Sequence, residues 1–261
     1  MKIEIERFVD AKKGLSPEGP FLWQRDMCIM RIGGLHKNSF IDFPGQVSCA
    51  IFFSGCNFHC PYCHNPELAR GEQVLENAKA EILDFLQKRK GFLDGVVFSG
   101  GEPTLQAQAL YMLANKARTL GYKIKLDTNG SHPEVLQTLL EEKLVDYVAM
   151  DIKTDIDAYA PHFTPDSAIS KVLRKSIILL KTAKIPYEFR TTAMKPYVTP
   201  EIIDTIGAQV GKVSLYALQL PHHEKVLKPS VFKENNWMPA QDEVKAMQEK
   251  LSVFSKKVIL R

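Results

Sequence analysis

From residue 47 to the C-terminus, apolar β-rich runs alternate with helical stretches without interruption, and this pattern narrows the fold more than any other feature. "VSCAIFFS", "GVVFSG", "YKIKLDT", "DYVAMDIK", "PYEFRTT", "KVSLYALQL" and "KKVIL" have strand character. Between them, segments such as "ENAKAEILDFLQKRK" and "AISKVLRKSIILLKTAK" place apolar residues at helical spacing. Repeated strand–helix–strand units imply an α/β fold with a parallel sheet and right-handed crossovers. Periodicity leaves three arrangements open: a closed barrel, an incomplete barrel, or a doubly wound open sheet. Residues 1 to 46, with "GLSPEGP" and "DFPGQ", are expected to form an N-terminal lead-in rather than a domain.

The chemically unusual residues follow the strands one after another. A cysteine loop comes after "AIFF", "SGGEP" after "VVF", "DTNG" after "KIKL", and "MDIK" closes "YVA". Arg190 lies in "EFRTT" and "LPHH" follows "YALQ". In a parallel sheet all of these gather at one rim, the C-terminal ends of the strands, where α/β folds place their sites.

The cysteine loop, "SGCNFHCPYCHNPELA", carries Cys56, Cys60 and Cys63, three of five cysteines. A structural zinc site takes four ligands, usually as two separated Cys-x2-Cys pairs. Cys28 and Cys49 are too isolated to supply a second pair, so a zinc reading has to recruit His59 or His64. An iron–sulfur cluster also takes soft thiolates, and three of them leave one iron of a four-iron cluster open to a non-protein ligand.

The spacing Cys-x3-Cys-x-aromatic-Cys, with Tyr62 as the aromatic, resembles the signature of the radical S-adenosylmethionine (radical SAM) enzymes. The resemblance implies a partial (β/α)6 TIM-type barrel, and a [4Fe-4S] cluster on the three cysteines whose open iron chelates the SAM methionine. One electron then cleaves the sulfonium, giving methionine and a 5′-deoxyadenosyl radical. Gly100, Gly101 and Glu102 of "SGGEP" match a motif that binds the SAM ammonium. "LDTNG" and "MDIK" resemble segments of the glycyl radical enzyme activases, which implies that Asp127, Thr128 and Asp151, with the Ala149 backbone, hold a monovalent cation beside the SAM carboxylate. Lys153 is then expected at that carboxylate, and Arg190, His64 and His223 near SAM. Among activases, "LDTNG" and "MDIK" are most similar to those serving pyruvate formate-lyase, and "GGLHKNSFIDFPGQVSCAIFFSGCNFHCPYCHNPELA" to those serving anaerobic ribonucleotide reductases.

That likeness spans residues 31 to 261 as one domain and leaves 1 to 30 unassigned. It implies an oxidoreductase that abstracts hydrogen from a glycine of a partner enzyme; a radical SAM enzyme acting on a small molecule or RNA is the alternative. Two further cysteines are too few for the inserted ferredoxin-like domain of some activases, so flavodoxin or ferredoxin is expected as electron donor. The formal charge of +4 contains no basic run that would mark a nucleic-acid site. The N-terminus lacks a signal-peptide core, and three clustered thiols need a reducing compartment, so the cytoplasm is expected.

Overall fold

The computed structural model describes residues 30–222, 226–232 and 236–261. Eight strands form one sheet in sequential order: β1 (Ile32–Ser39), β2 (Ser48–Phe53), β3 (Gly95–Gly100), β4 (Lys123–Thr128), β5 (Tyr147–Asp151), β6 (Tyr187–Thr192), β7 (Val213–Gln219) and β8 (Ser255–Leu260). β2 to β8 run parallel, and β1 pairs antiparallel with β2. The crossovers carry α1 (Pro66–Arg70), α2 (Ala78–Lys88), α3 (Ala107–Thr119), α4 (Pro133–Glu141), α5 (Ile169–Thr182), α6 (Pro200–Val210) and α7 (Gln241–Phe254).

A doubly wound sheet reverses its strand order at a switch point, and this order never reverses. The result is a partial (β/α)6 TIM-type barrel, with β1 and β8 as its two edges. Residues 32–39 correct the expected lead-in, because they form an edge strand. β1 escapes detection because "IGGLHKNS" has two glycines and no regular alternation, and its pairing with β2 is interrupted by register shifts. Residues 1–29, with Trp23 and Cys28, lie outside the described residues.

Both faces of the parallel strands are covered, which explains their continuous apolar runs. One face packs on the helices: Ile51, Phe53, Phe98, Leu126, Val148 and Phe189 are fully buried with Leu86, Leu110 and Leu173. Helix α5 shows how the sequence dictates this, burying Ile169, Leu173, Ser176, Ile177 and Leu180 along one stripe. Helix α6 starts where Thr199 accepts from the Ile202 N–H and Pro200 opens the first turn.

The concave face has its own small apolar plug, Phe43, Ala50, Val97, Tyr147 and Ala149. Further along the strands that face turns ionic. Glu188 on β6 is 0% exposed and is held bidentately by Arg261, at 2.8 and 2.9 Å. Among the described residues no helix is long and apolar enough to cross a membrane.

Arg261→Ala should leave the Glu188 carboxylate buried without its partner. Urea denaturation is expected to show a loss of about 2 kcal/mol, below the full cost of a broken buried pair because Arg261 is partly solvated. An unchanged midpoint would show that Glu188 is neutralised by another group.

Candidate active site

The loop from Ser54 to Asn65 contains no helix or strand, so its backbone hydrogen bonds come from its surroundings. Gly55 N–H donates to the Leu68 carbonyl at 2.7 Å and Cys56 N–H to Ala69 at 3.0 Å, both toward α1. His59 N–H donates to the Phe163 carbonyl at 2.7 Å. On the other side, Leu227 N–H reaches the Cys63 carbonyl at 3.1 Å and Lys228 N–H reaches Pro61 at 2.9 Å. Phe58 packs edge-on against Tyr159, and Tyr62 against Phe163. The hydroxyl of Tyr62 donates to the Lys153 carbonyl at 3.4 Å. So held, Cys56, Cys60 and Cys63 all line one cavity of about 100 Å³.

That cavity is bounded opposite by the turn after β3. Gly100 has φ +116, and a Cβ there would lie 2.4 Å from the Phe53 nitrogen. At Gly101 a Cβ would lie 2.0 Å from the Gly55 carbonyl oxygen. Only two successive glycines let this turn lie against the cysteine loop, where Glu102 N–H donates to Gly55 O at 2.8 Å.

The side chain of Glu102 lies behind this turn. It is 0% exposed and is turned away from the cavity lining. Its Oε1 accepts from Thr104 N–H (3.1 Å), Thr104 Oγ1 (2.6 Å) and Thr128 Oγ1 (2.8 Å), and Oε2 accepts from Asn129 N–H at 2.6 Å. Burial raises its pKa, and these four donors oppose the rise. Glu102 therefore ties the β3 turn to "DTNG", and its charge is felt at Cys56.

Residues not singled out from sequence complete this scaffold. Asn129 donates to Asn57 Oδ1 at 2.9 Å and to Cys56 Sγ at 3.8 Å. Gln106 bridges Arg31 and the Ser54 carbonyl. The Asn in "DTNG" had a sequence signal as a turn residue, but its long-range partner at Asn57 had none.

Below this lies a chain of ion pairs. Asp151 Oδ1 accepts from Arg190 Nε at 2.7 Å and Oδ2 from Lys153 Nζ at 2.8 Å. Asp127 accepts from Ser99 Oγ at 3.1 Å, lies 3.3 Å from Arg190 Nη1, and pairs with Lys125. The strand register accounts for the pairing, since Asp151 on β5 stands opposite Arg190 on β6. Burial alone would raise the Asp151 and Asp127 carboxyls, but Arg190 with Lys153 or Lys125 holds both below the usual range. Asp151 likewise outweighs burial at Lys153 and keeps its ammonium well above the lysine range.

A second cavity of about 470 Å³ shares this wall and extends past Tyr62, His64, Gln219 and His222. His64 stacks edge-on against His222 at 5.7 Å, and burial, then His222 and Lys153, lowers its pKa. His59 is exposed. His223 lies outside the described residues.

The residues suit an iron–sulfur cluster on two counts. Three soft thiols face one cavity, and the paired glycines open a cradle that any side chain would fill. Burial pushes the Cys56 thiol to about 11 and Cys60 to about 12, so both are protonated until a metal displaces the proton.

Residues 50–206 match the radical SAM superfamily. A protein of Methanocaldococcus jannaschii named as a glycyl-radical enzyme activating enzyme is 36% identical over 237 residues, covering 88% of this chain and 95% of its own. Pyruvate formate-lyase-activating enzyme of Clostridium pasteurianum is 33% identical over 142 residues, 51% of this chain and 57% of its own. Streptococcus suis SuiB bound to S-adenosylmethionine superposes with a TM-score of 0.56 at 14% identity, covering 79% of this chain and 48% of that one. At that identity the likeness speaks for the fold alone.

Gly101→Ala should drive a methyl group into the Gly55 carbonyl and displace the cysteine loop. Iron and sulfide per chain after anaerobic reconstitution are expected to fall severalfold while far-ultraviolet dichroism is retained. Full iron loading would show that the two loops need not touch.

Proposed function

The chain belongs to the radical SAM superfamily, and on that premise we propose that it activates a glycyl radical enzyme, with an anaerobic ribonucleotide reductase or a pyruvate formate-lyase-like enzyme as partner. The observation that carries this reading is the match to a protein named as such an activating enzyme, which spans nearly the full length of both chains. When bound, a [4Fe-4S] cluster and SAM supply the one-electron chemistry that removes a hydrogen atom from a glycine Cα.

This chain's residues then have separate tasks. Cys56, Cys60 and Cys63 hold the cluster through thiolates. Gly100 and Gly101 let backbone polar groups approach the SAM ammonium, because neither carries a Cβ. Lys153 and Arg190 offer positive charge to its carboxylate, and Asp151 keeps both oriented by its two ion pairs. Asp127 fixes Arg190 from the other side. Thr128 and Glu102 hold "DTNG" against the glycine turn. Tyr62 positions the Lys153 segment through its carbonyl, while His64 and, by the resemblance, His223 stand at the mouth of the larger cavity.

The glycine of the partner has to reach this cavity on an extended loop, since the reacting groups lie inside the barrel mouth. The electron comes from flavodoxin or ferredoxin, and the compartment is an oxygen-free cytoplasm, where open iron and free thiols survive.

Reconstituted, dithionite-reduced protein given SAM is expected to form 5′-deoxyadenosine, and Cys60→Ala to reduce this to background. A glycyl-radical EPR signal should then appear in a candidate partner. Deoxyadenosine formed without such a signal in either partner class, but with turnover of a small molecule or RNA, would overturn the activase reading and keep the superfamily chemistry.

A further inference from the structure

The charges on the concave face do not suit an alkali cation between Asp127 and Asp151. Lys125 lies two residues before Asp127 on β4, so both side chains point into the barrel. It is 2% exposed, among the largest fully buried side chains, and its ammonium sits 6.0 Å from the Tyr147 ring. A lysine is buried this deeply only when its charge is paired.

Every side-chain oxygen that the resemblance offers to a cation is already engaged. Asp127 is taken by Lys125, Ser99 and Arg190, and Asp151 by Arg190 and Lys153. The Thr128 hydroxyl donates to Glu102 and accepts from Gly130 N–H at 3.1 Å. Within this ion-pair chain, leaving aside the cysteine loop, three cationic side chains, Lys125, Lys153 and Arg190, face two carboxylates, a surplus of one positive charge. A bound cation would double that surplus in a site of low dielectric, whereas a ligand carboxylate would cancel it.

We propose that Lys125 is a tethered replacement for the monovalent cation: its ammonium neutralises Asp127, leaves the positive charge of Arg190 and Lys153 available to the SAM carboxylate, and makes SAM binding independent of potassium or sodium. The proposal rests on the radical SAM reading of the cavity. A tethered ammonium needs no free ion and does not dissociate. Its cost is that a buried lysine without its aspartate is strongly unfavourable, so Lys125 and Asp127 form an obligate pair.

Equilibrium dialysis of labelled SAM against cluster-loaded, unreduced protein tests this in potassium, sodium or tetramethylammonium chloride at one ionic strength. Tetramethylammonium is too large to enter as a substitute. Wild-type affinity is expected to vary less than about twofold among the three salts, with no radioactive rubidium retained. Lys125→Met should weaken SAM binding on the order of tenfold to a hundredfold in tetramethylammonium, the range of one charge-assisted hydrogen bond. Potassium or sodium should restore it, with one rubidium ion taken up per chain.

Wild-type protein that needs potassium or sodium, or that retains rubidium, would overturn the proposal, as would a Lys125→Met protein with wild-type affinity in tetramethylammonium. Should Lys125→Met not fold, the wild-type dialysis decides by the same criteria. Wild-type protein that binds SAM in none of the salts would instead overturn the reading of the cavity itself.

Discussion

The loop that aims three thiols at one cavity forms no helix or strand of its own, and the architecture around it compensates for that. Its backbone borrows partners from α1, from the Phe163 carbonyl and from residues 227 and 228, which lie far apart in sequence. The tightest of these contacts is the meeting of Gly55 with Gly101, where no side chain fits. Glu102, next in sequence, gathers four donors from the two loops after β3 and β4. The cysteine loop, the glycine turn and "DTNG" are therefore one rigid assembly, although each follows a different strand.

The ionic part of the site follows a second constraint. Beyond the Glu188–Arg261 pair, five charged side chains of the concave face form one chain, and each is tolerable there only because the next one is within reach. Arg190 is the hinge of the set, touching both aspartates. Such a network stabilises the fold little against an apolar alternative of equal volume. In the proposed function its value lies in presenting a fixed surplus charge to a ligand in a site that water only partly reaches.

The strand–helix alternation and the rim clustering were legible because both depend on local periodicity and on the direction that parallel strands share. Helical stripes such as Ile169, Leu173 and Leu180 and the continuous run of β2 face a core whichever barrel or sheet they join. The cysteine trio was legible for a chemical reason, since soft ligands at short spacing have few uses. β1 was not, because an edge strand with glycines and register shifts lacks the alternation that announces a strand. The scaffold around Glu102 was not legible either, because no spacing along the chain brings its donors Thr128 and Asn129 near.

Lys125 shows where the division falls. The sequence by itself determined that Lys125 and Asp127 share a face, that three thiols sit in one loop, and that the polar residues collect at one rim. Only the tertiary structure decided that the face is the inside of an open barrel, and that Asp127 meets Arg190 from two strands away. Side-chain periodicity is a property of one strand. Charge balance in a cavity is a property of all the strands that close it.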